Sequence, residues 1–226
     1  MTASPPLWTP SRDLIDNSHL MAFAKRNGFQ DGVDYATLHQ WSLEDVGAFW
    51  SKFWDFAGVL GEKGAIALEN EAQMEAASFF PEAKINWAEN LLKRRDHAPA
   101  IIFRDEMARE SIISFAELNA KVSLWQQALI KSGIQKGDRV AGYMPNLPET
   151  LIAALAASSL GAIWSSASPD FGVQGVVDRF GQIEPKILIS VDGYFYNGKT
   201  VDVLSKIKEA LPRIPSIEKI VIVPFA

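Results

Sequence analysis

The 226-residue sequence contains no cysteine, and its three histidines, His19, His39 and His97, lie far apart. The absence of cysteine excludes disulfides, thiolate zinc sites and a cysteine nucleophile. The histidine spacing offers no paired metal ligands, so we expect no metal site. The chain has 22 basic and 27 acidic residues and a net charge of −5. This charge argues against nonspecific nucleic-acid binding, which requires an excess of positive charge.

Long apolar runs are also missing. The longest, residues 151–160, contains Ser158 and Ser159 and is too short to cross a bilayer. The amino terminus has no basic segment followed by an apolar one, as a secretory signal would have. We therefore expect a cytoplasmic protein of one large or two small domains, without nucleic-acid or membrane partners.

The first hundred residues are aromatic and irregular. The pattern predicts a short helix over 18–27 ended by Gly28, and a second over 42–57 capped by Ser42 with Asp45 completing a capping box. Apolar side chains on the second helix recur at helical spacing: Val46, Phe49, Trp50, Phe53, Trp54 and Ala57. Such a face favours packing on a larger body, and a ligand groove or partner surface is the alternative.

Further along the chain, residues 58–80 read as a loop and 86–95 as a capped helix. A hairpin is predicted for 100–103 and 111–114, and from residue 115 helices and strands alternate. The predicted helices are 115–132, 148–160, 173–182 and 201–211, and the strands are 140–144, 162–165, 187–191 and 219–223. This order predicts an α/β fold, with a helical N-terminal extension packed on a mostly parallel βα sheet.

One segment matches the phosphate-loop pattern G-x-x-x-x-G-K-[ST], from Gly193 to Thr200. It would follow a strand and precede a helix, so an NTPase is an alternative function. Bulky side chains at 194–196 oppose a tightly curled loop, and the strand 220–223 brings no aspartate for magnesium. An exposed turn with a solvated Lys199 is the interpretation that these features favour.

A second loop, SSASPDFG at 165–172, also lies between a strand and a helix. Small hydroxyl side chains before a helix suit an anion. The alternative is a capping role, in which Ser168 or Asp170 accepts from free N–H groups of the helix.

The motifs KGDRVA (136–141), MPN with PE (144–149) and GAI (161–163) resemble the opening of the acyl-CoA synthetases, in the adenylate-forming superfamily. FFP (79–81) and INWAENLL (85–92) look like the N-terminal extension of the acetyl-CoA synthetase branch. Within that branch, three further segments are most similar to the acetoacetyl-CoA synthetases: WTPS (8–11), WSS through SPDFG (164–172), and DGY through YNGK (192–199).

This resemblance implies an AMP-forming ligase that joins acetoacetate to CoA with ATP and Mg²⁺; a sister enzyme acting on acetate or propionate is the alternative. Residues 1–98 would be the extension and 99–226 the first part of the AMP-binding domain. The family's phosphate loop, adenine site and lid lysine would lie beyond residue 226. We therefore expect this fragment to be inactive by itself, with no catalytic, ATP-binding or metal-binding residue and no tightly bound cofactor. The whole enzyme would act on small-molecule substrates and could form a homo-oligomer.

The resemblance also implies a CoA surface. Phe171 with Gly172 falls where the family stacks an aromatic on the CoA adenine, and Tyr196 and Lys199 fall where two arginines hold its 3′-phosphate. Lys199 keeps the charge without the guanidinium fork. Tyr196 keeps only a ring and a hydroxyl.

Overall fold

The computed structural model describes residues 7–226, which divide into two compact units, the first ending at Ile85 and the second comprising Asn86–Ala226. The first unit is mainly helical. Its elements are α1 (Arg12–Asp16), α2 (His19–Arg26), α3 (Tyr35–Glu44), α4 (Val46–Ala57), β1 (Gly61–Glu62), β2 (Leu68–Glu69), β3 (Ser78–Phe79) and β4 (Lys84–Ile85). The short strands pair antiparallel, β1 with β4 and β2 with β3. The boundary that the sequence predicts, between residues 98 and 99, stays a prediction.

The predicted helix 18–27 is confirmed as α2, but the predicted start at Ser42 is wrong. Ser42 lies inside α3, where its hydroxyl donates to the His39 carbonyl O at 2.7 Å. The chain breaks at Asp45, whose carboxylate accepts the Ala48 N–H at 2.8 Å and caps α4. Asp45 is therefore the cap itself, because its short carboxylate satisfies an otherwise unpaired N–H of the first turn.

The aromatic face of α4 packs within its own unit. The ring of Phe23 on α2 lies 5.0–5.9 Å from the rings of Trp41, Phe49, Phe53 and Phe56. All four pairs are tilted or edge-on, and edge-on packing is an arrangement that aromatic quadrupoles favour. The aromatics of α4 thus contact α2 and α3 within the first unit, but no α4 residue is buried, and Trp50 and Phe53 stay 40% and 39% exposed.

The second unit contains the alternating elements. In chain order they are α5 (Trp87–Leu91), β5 (Pro99–Arg104), β6 (Glu110–Ser114), α6 (Phe115–Lys131), β7 (Arg139–Tyr143), α7 (Pro148–Ser159), β8 (Ile163–Ala167), α8 (Val173–Ile183), β9 (Ile187–Val191), β10 (Gly193–Tyr196), β11 (Lys199–Asp202), α9 (Leu204–Ala210) and β12 (Lys219–Val223). The predicted hairpin is confirmed as antiparallel β5–β6. The helix predicted to reach residue 95 ends earlier, at Leu91.

Four strands form a wholly parallel sheet in the order β12-β9-β7-β8. All five residues of β9 are buried, as its apolar sequence predicts. The carboxyl ends of β7, β8 and β9 meet at one edge, the edge at which open α/β sheets bind ligands. The predicted α/β class with a parallel sheet is confirmed.

The helix predicted for 201–211 is wrong over its first turn. Residues 199–202 form β11 and pair antiparallel with β10, so that Tyr196 stands opposite Lys199. Asn197 and Gly198 form the turn, with φ values of 50° and 72°. Asn-Gly is the dipeptide that two-residue hairpin turns with positive φ favour, and the helix begins only at Leu204.

Within residues 7–226, no helix is long and apolar enough to cross a membrane. The same part of the chain holds no cluster of three or more His, Asp or Glu side chains placed to bind a metal ion.

Candidate functional site

The loop 168–172 follows β8 at the carboxyl edge of the sheet, and the side chain of Tyr143 holds it by hydrogen bonds. Tyr143 ends β7 and is fully buried. Its hydroxyl donates to the loop carbonyls, 3.0 Å from the oxygen of Pro169 and 2.5 Å from that of Phe171. Burial, with a smaller effect of the Asp170 charge, raises the pKa of Tyr143 to about 12, so the hydroxyl stays a donor at neutral pH.

A second tyrosine joins this loop to the β10–β11 hairpin. The hydroxyl of Tyr194, on β10, donates to Asp170 Oδ1 at 2.6 Å, and Ser168 donates to Oδ2 at 2.9 Å. These hydrogen bonds, from Tyr194 and then Ser168, lower the pKa of Asp170. Burial and then the bond to Asp170 raise the pKa of Tyr194 to about 12. The pair is therefore a neutral phenol bound to a carboxylate at neutral pH.

Lys206 of α9 provides a third tie. Its Nζ donates to the Pro169 carbonyl oxygen at 2.8 Å and lies 6.0 Å from the centre of the Tyr194 ring. Side chains from β7, β10 and α9 thus hold one short loop. Neither Ser168 nor Asp170 caps α8, whose N-cap is Gly172 without a side-chain bond. The capping alternative for these two residues is therefore wrong.

Phe171 and Gly172 lie at the exposed tip of this loop. The Phe171 side chain is 38% exposed, and the Arg179 guanidinium carbon lies 3.8 Å from its ring centre. Apart from Gly172 and its two chain neighbours, no heavy atom of the described residues lies within 4 Å of where a Cβ of Gly172 would stand, so a ligand has room beside it. The tip offers an aromatic ring, a cation and open backbone.

Tyr196 and Lys199 flank the hairpin turn and are both exposed, Tyr196 at 63%. Glu106, in the β5–β6 turn, accepts the N–H groups of Asn197 and Gly198 at 2.9 and 3.3 Å. Residues 193–200 therefore form a hairpin whose turn N–H groups donate to a carboxylate, and they do not form a phosphate-binding loop. The structure thus contradicts the NTPase alternative.

The structure connects the two predicted segments through the Tyr194–Asp170 bond: Phe171 and Gly172 on the loop, Tyr196 and Lys199 on the hairpin. Sequence reasoning missed Tyr143, Tyr194 and Arg179. The first two are 26 and 24 residues from the loop atoms they bind, and no local pattern marks them. Arg179 could have been noticed, because it lies two helical turns beyond an aromatic residue.

The second unit also contains an open cavity of about 480 Å³ near the β5–β6 hairpin, lined in part by Phe103, Lys121, Glu149 and Phe225. It contains none of the four residues predicted for CoA. The loop and hairpin instead form an exposed surface, which suits a ligand that lies across it rather than one that is enclosed.

An exposed aromatic ring, a guanidinium and an amine can bind a base and a phosphate. The model for AMP-binding enzymes matches residues 88–226 and so includes every residue of this surface. The chain belongs to the AMP-binding enzyme family. This match covers more than half of the chain.

Individual members of the family are similar over nearly the whole chain. Acetoacetyl-coenzyme A synthetase of Rhizobium meliloti (strain 1021) is 48% identical, covering 100% of this chain and 35% of that protein. Acetoacetyl-CoA synthetase of Xenopus tropicalis is 41% identical, covering 97% and 33%. The structure of acetoacetyl-CoA synthetase from Streptomyces lividans matches with a TM-score of 0.90 at 34% identity, covering 98% of this chain and 35% of that one. The chain thus spans about a third of the length of these relatives.

Proposed function

We propose that this chain forms the amino-terminal part of an AMP-forming acetoacetate–CoA ligase. The observation that supports this most is the 48% identity to an acetoacetyl-CoA synthetase over the whole chain. The segments that resemble this branch include the loop and the hairpin of the candidate site. The proposal implies small-molecule substrates, a cytoplasmic location and an enzyme that can form a homo-oligomer.

In the proposed reaction, ATP with Mg²⁺ and acetoacetate form an acyl-adenylate and diphosphate. The CoA sulfur then bonds to the acyl carbon, AMP leaves with the bonding electrons, and the thiol proton goes to solvent or a base. The part of this reaction that we assign to residues 7–226 is binding of the CoA nucleotide. By itself the chain is expected to be inactive, because orienting the acyl and phosphoryl groups requires further residues.

We assign four residues to CoA. Phe171 provides an aromatic surface for the adenine, and Gly172 leaves the approach beside it open. Lys199 provides a cation for phosphate, and the Tyr196 hydroxyl adds a hydrogen-bond partner on the opposite strand of the hairpin. The loop and the hairpin are tied together before the ligand arrives, which lowers the ordering cost of binding.

Ligand-observed NMR with the 226-residue chain tests this assignment. We expect saturation transfer to the CoA adenine protons in the wild type and about a tenfold weaker affinity in Phe171→Ala, since base stacking on an aromatic is worth about 1–3 kcal/mol. Lys199→Ala should weaken CoA as well. Lys208→Ala, at the end of α9, removes an equal charge elsewhere and should leave CoA affinity unchanged. Unchanged affinity in both site variants would refute the assignment.

The ligase activity requires a separate assay. The full-length protein that contains this chain would be expressed, purified and assayed with ATP, Mg²⁺, CoA and one acid at a time. We expect the highest kcat/KM with acetoacetate, with AMP and diphosphate released. Faster turnover of acetate or propionate would favour the sister-enzyme alternative, and release of ADP would refute an AMP-forming ligase.

A further inference from the structure

Arg179 and Phe171 form a stacked pair on the candidate CoA surface. The guanidinium carbon lies 3.8 Å from the ring centre, closer than the other cation–ring pairs of residues 7–226. Helical side chains tilt toward the amino terminus, so an arginine in the second turn of α8 can reach back to a residue just before the helix. The pair is therefore built by the geometry of α8.

Gly175 lies beside this stack. A Cβ at this position would stand 3.4 Å from both Arg179 Nη1 and Phe171 Cβ, which is van der Waals contact. The Arg179 Nη1 donates to the Gly175 carbonyl oxygen at 3.1 Å. This bond orients one N–H group of the guanidinium. Arg179 is exposed, and its remaining N–H groups are available to a ligand.

The charge of Arg179 is not compensated by an ion pair in the described part of the chain. The adjacent carboxylate, Asp178, accepts instead from the Gln174 amide at 2.5 Å. The Gln174 amide oxygen in turn accepts from Arg213 Nη2 at 2.7 Å. Five N–H donors are available on a guanidinium, and the structure shows one of them engaged.

We propose that Arg179 is a specificity-determining residue that recognises the phosphate on the ribose of CoA. The inference rests on the proposed CoA site and deepens it. A base that stacks on the Phe171–Arg179 pair brings its ribose phosphate next to the exposed guanidinium edge. A guanidinium binds two phosphate oxygens with parallel N–H donors, which the amine of Lys199 cannot do.

The experiment compares the affinities of two proteins for two ligands. The 226-residue chain and its Arg179→Ala variant are titrated with CoA and with dephospho-CoA, which lacks only the ribose 3′-phosphate. We expect Arg179→Ala to weaken CoA by about tenfold and dephospho-CoA by much less, because a charge-assisted bond is lost only with the phosphate present. Arg179→Lys should recover part of the loss. Arg26→Ala, on α2, removes an equal charge and should change neither affinity.

The outcomes separate this inference from the function on which it rests. If the wild type binds both ligands and Arg179→Ala leaves both affinities unchanged, Arg179 does not contact the ligand and the inference alone is overturned. An equal loss for both ligands would show stacking without phosphate recognition and also overturn it. If the wild type binds neither ligand, the CoA surface itself is refuted.

Discussion

Replacing Tyr194 by phenylalanine removes the one side-chain bond seen between the loop 168–172 and the β10–β11 hairpin, and leaves the ring in place. The hydroxyl donates to Asp170 Oδ1 at 2.6 Å, and the tyrosine is buried at 8% exposure. Because the ring is kept, no cavity forms. The effect therefore measures the hydrogen bond and the loop geometry that it maintains.

The expected loss follows from the environment of the two groups. A hydrogen bond to a charged partner contributes about 1.5–3 kcal/mol. Asp170 is exposed and keeps its bond from Ser168, so water replaces part of the lost interaction. We therefore expect Tyr194→Phe to lower the free energy of unfolding by about 1–1.5 kcal/mol, a Tm decrease of about 2–5 °C for a chain of this size. CoA affinity should fall with it.

Urea denaturation across pH tests the origin of this loss. The pKa of Asp170 lies below its usual 3.8, so its contribution is present above that pH and disappears as the pH falls through the folded value. The pKa of Tyr194 is raised from 10.0 to about 12, so its contribution is present below pH 10.0 and is lost as the pH rises toward 12. The difference between the two proteins should stay constant between these limits. An equal stability of both proteins near neutral pH would refute the reasoning, and Tyr35→Phe, at an exposed tyrosine, is the control.

Three further substitutions test other parts of the second unit. Gly142→Ala should lower stability by about 1–3 kcal/mol in thermal unfolding, because its Cβ would stand 2.5 Å from the Trp164 ring; an unchanged Tm would contradict the packing of β7 on β8. Ser114→Ala should cost about 1 kcal/mol, since Ser114 and Glu117 form the capping box of α6, and Ser114→Thr should restore most of it. Glu106→Ala should speed amide hydrogen exchange at the β10–β11 turn and leave α6 exchange unchanged; equal turn protection would show that its carboxylate does not hold the turn.

The parallel sheet could be predicted because each strand and helix has its own local signal. Apolar runs, glycines after helices and Pro148 at a helix start are all read within a few residues. The hairpin at 193–202 had a local signal too, the Asn-Gly turn, but the same residues match a phosphate-loop pattern. The backbone follows the turn, because positive φ at Asn197 and Gly198 closes two strands on each other.

The network around the candidate site could not be predicted in this way. Phe171 and Lys199 follow from the resemblance. Tyr143 contacts the loop because the parallel strands β7 and β8 end side by side, and Tyr194 does so because the β10–β11 hairpin directly follows β9. Such contacts depend on which strands are neighbours, and no short segment contains that information. The same holds for Glu106, 91 residues away from the N–H group that it accepts.

The central claim, that the loop and the hairpin bind CoA, is tested most directly by mapping backbone amide shifts of the ¹⁵N-labelled chain during a CoA titration. If CoA binds this surface, saturable shifts are expected at residues 168–172, at Arg179 and at 193–200. The amides around the cavity near Phe103 should stay unmoved. Shifts confined to that cavity, or no shifts at a CoA concentration that saturates a weak site, would contradict the account.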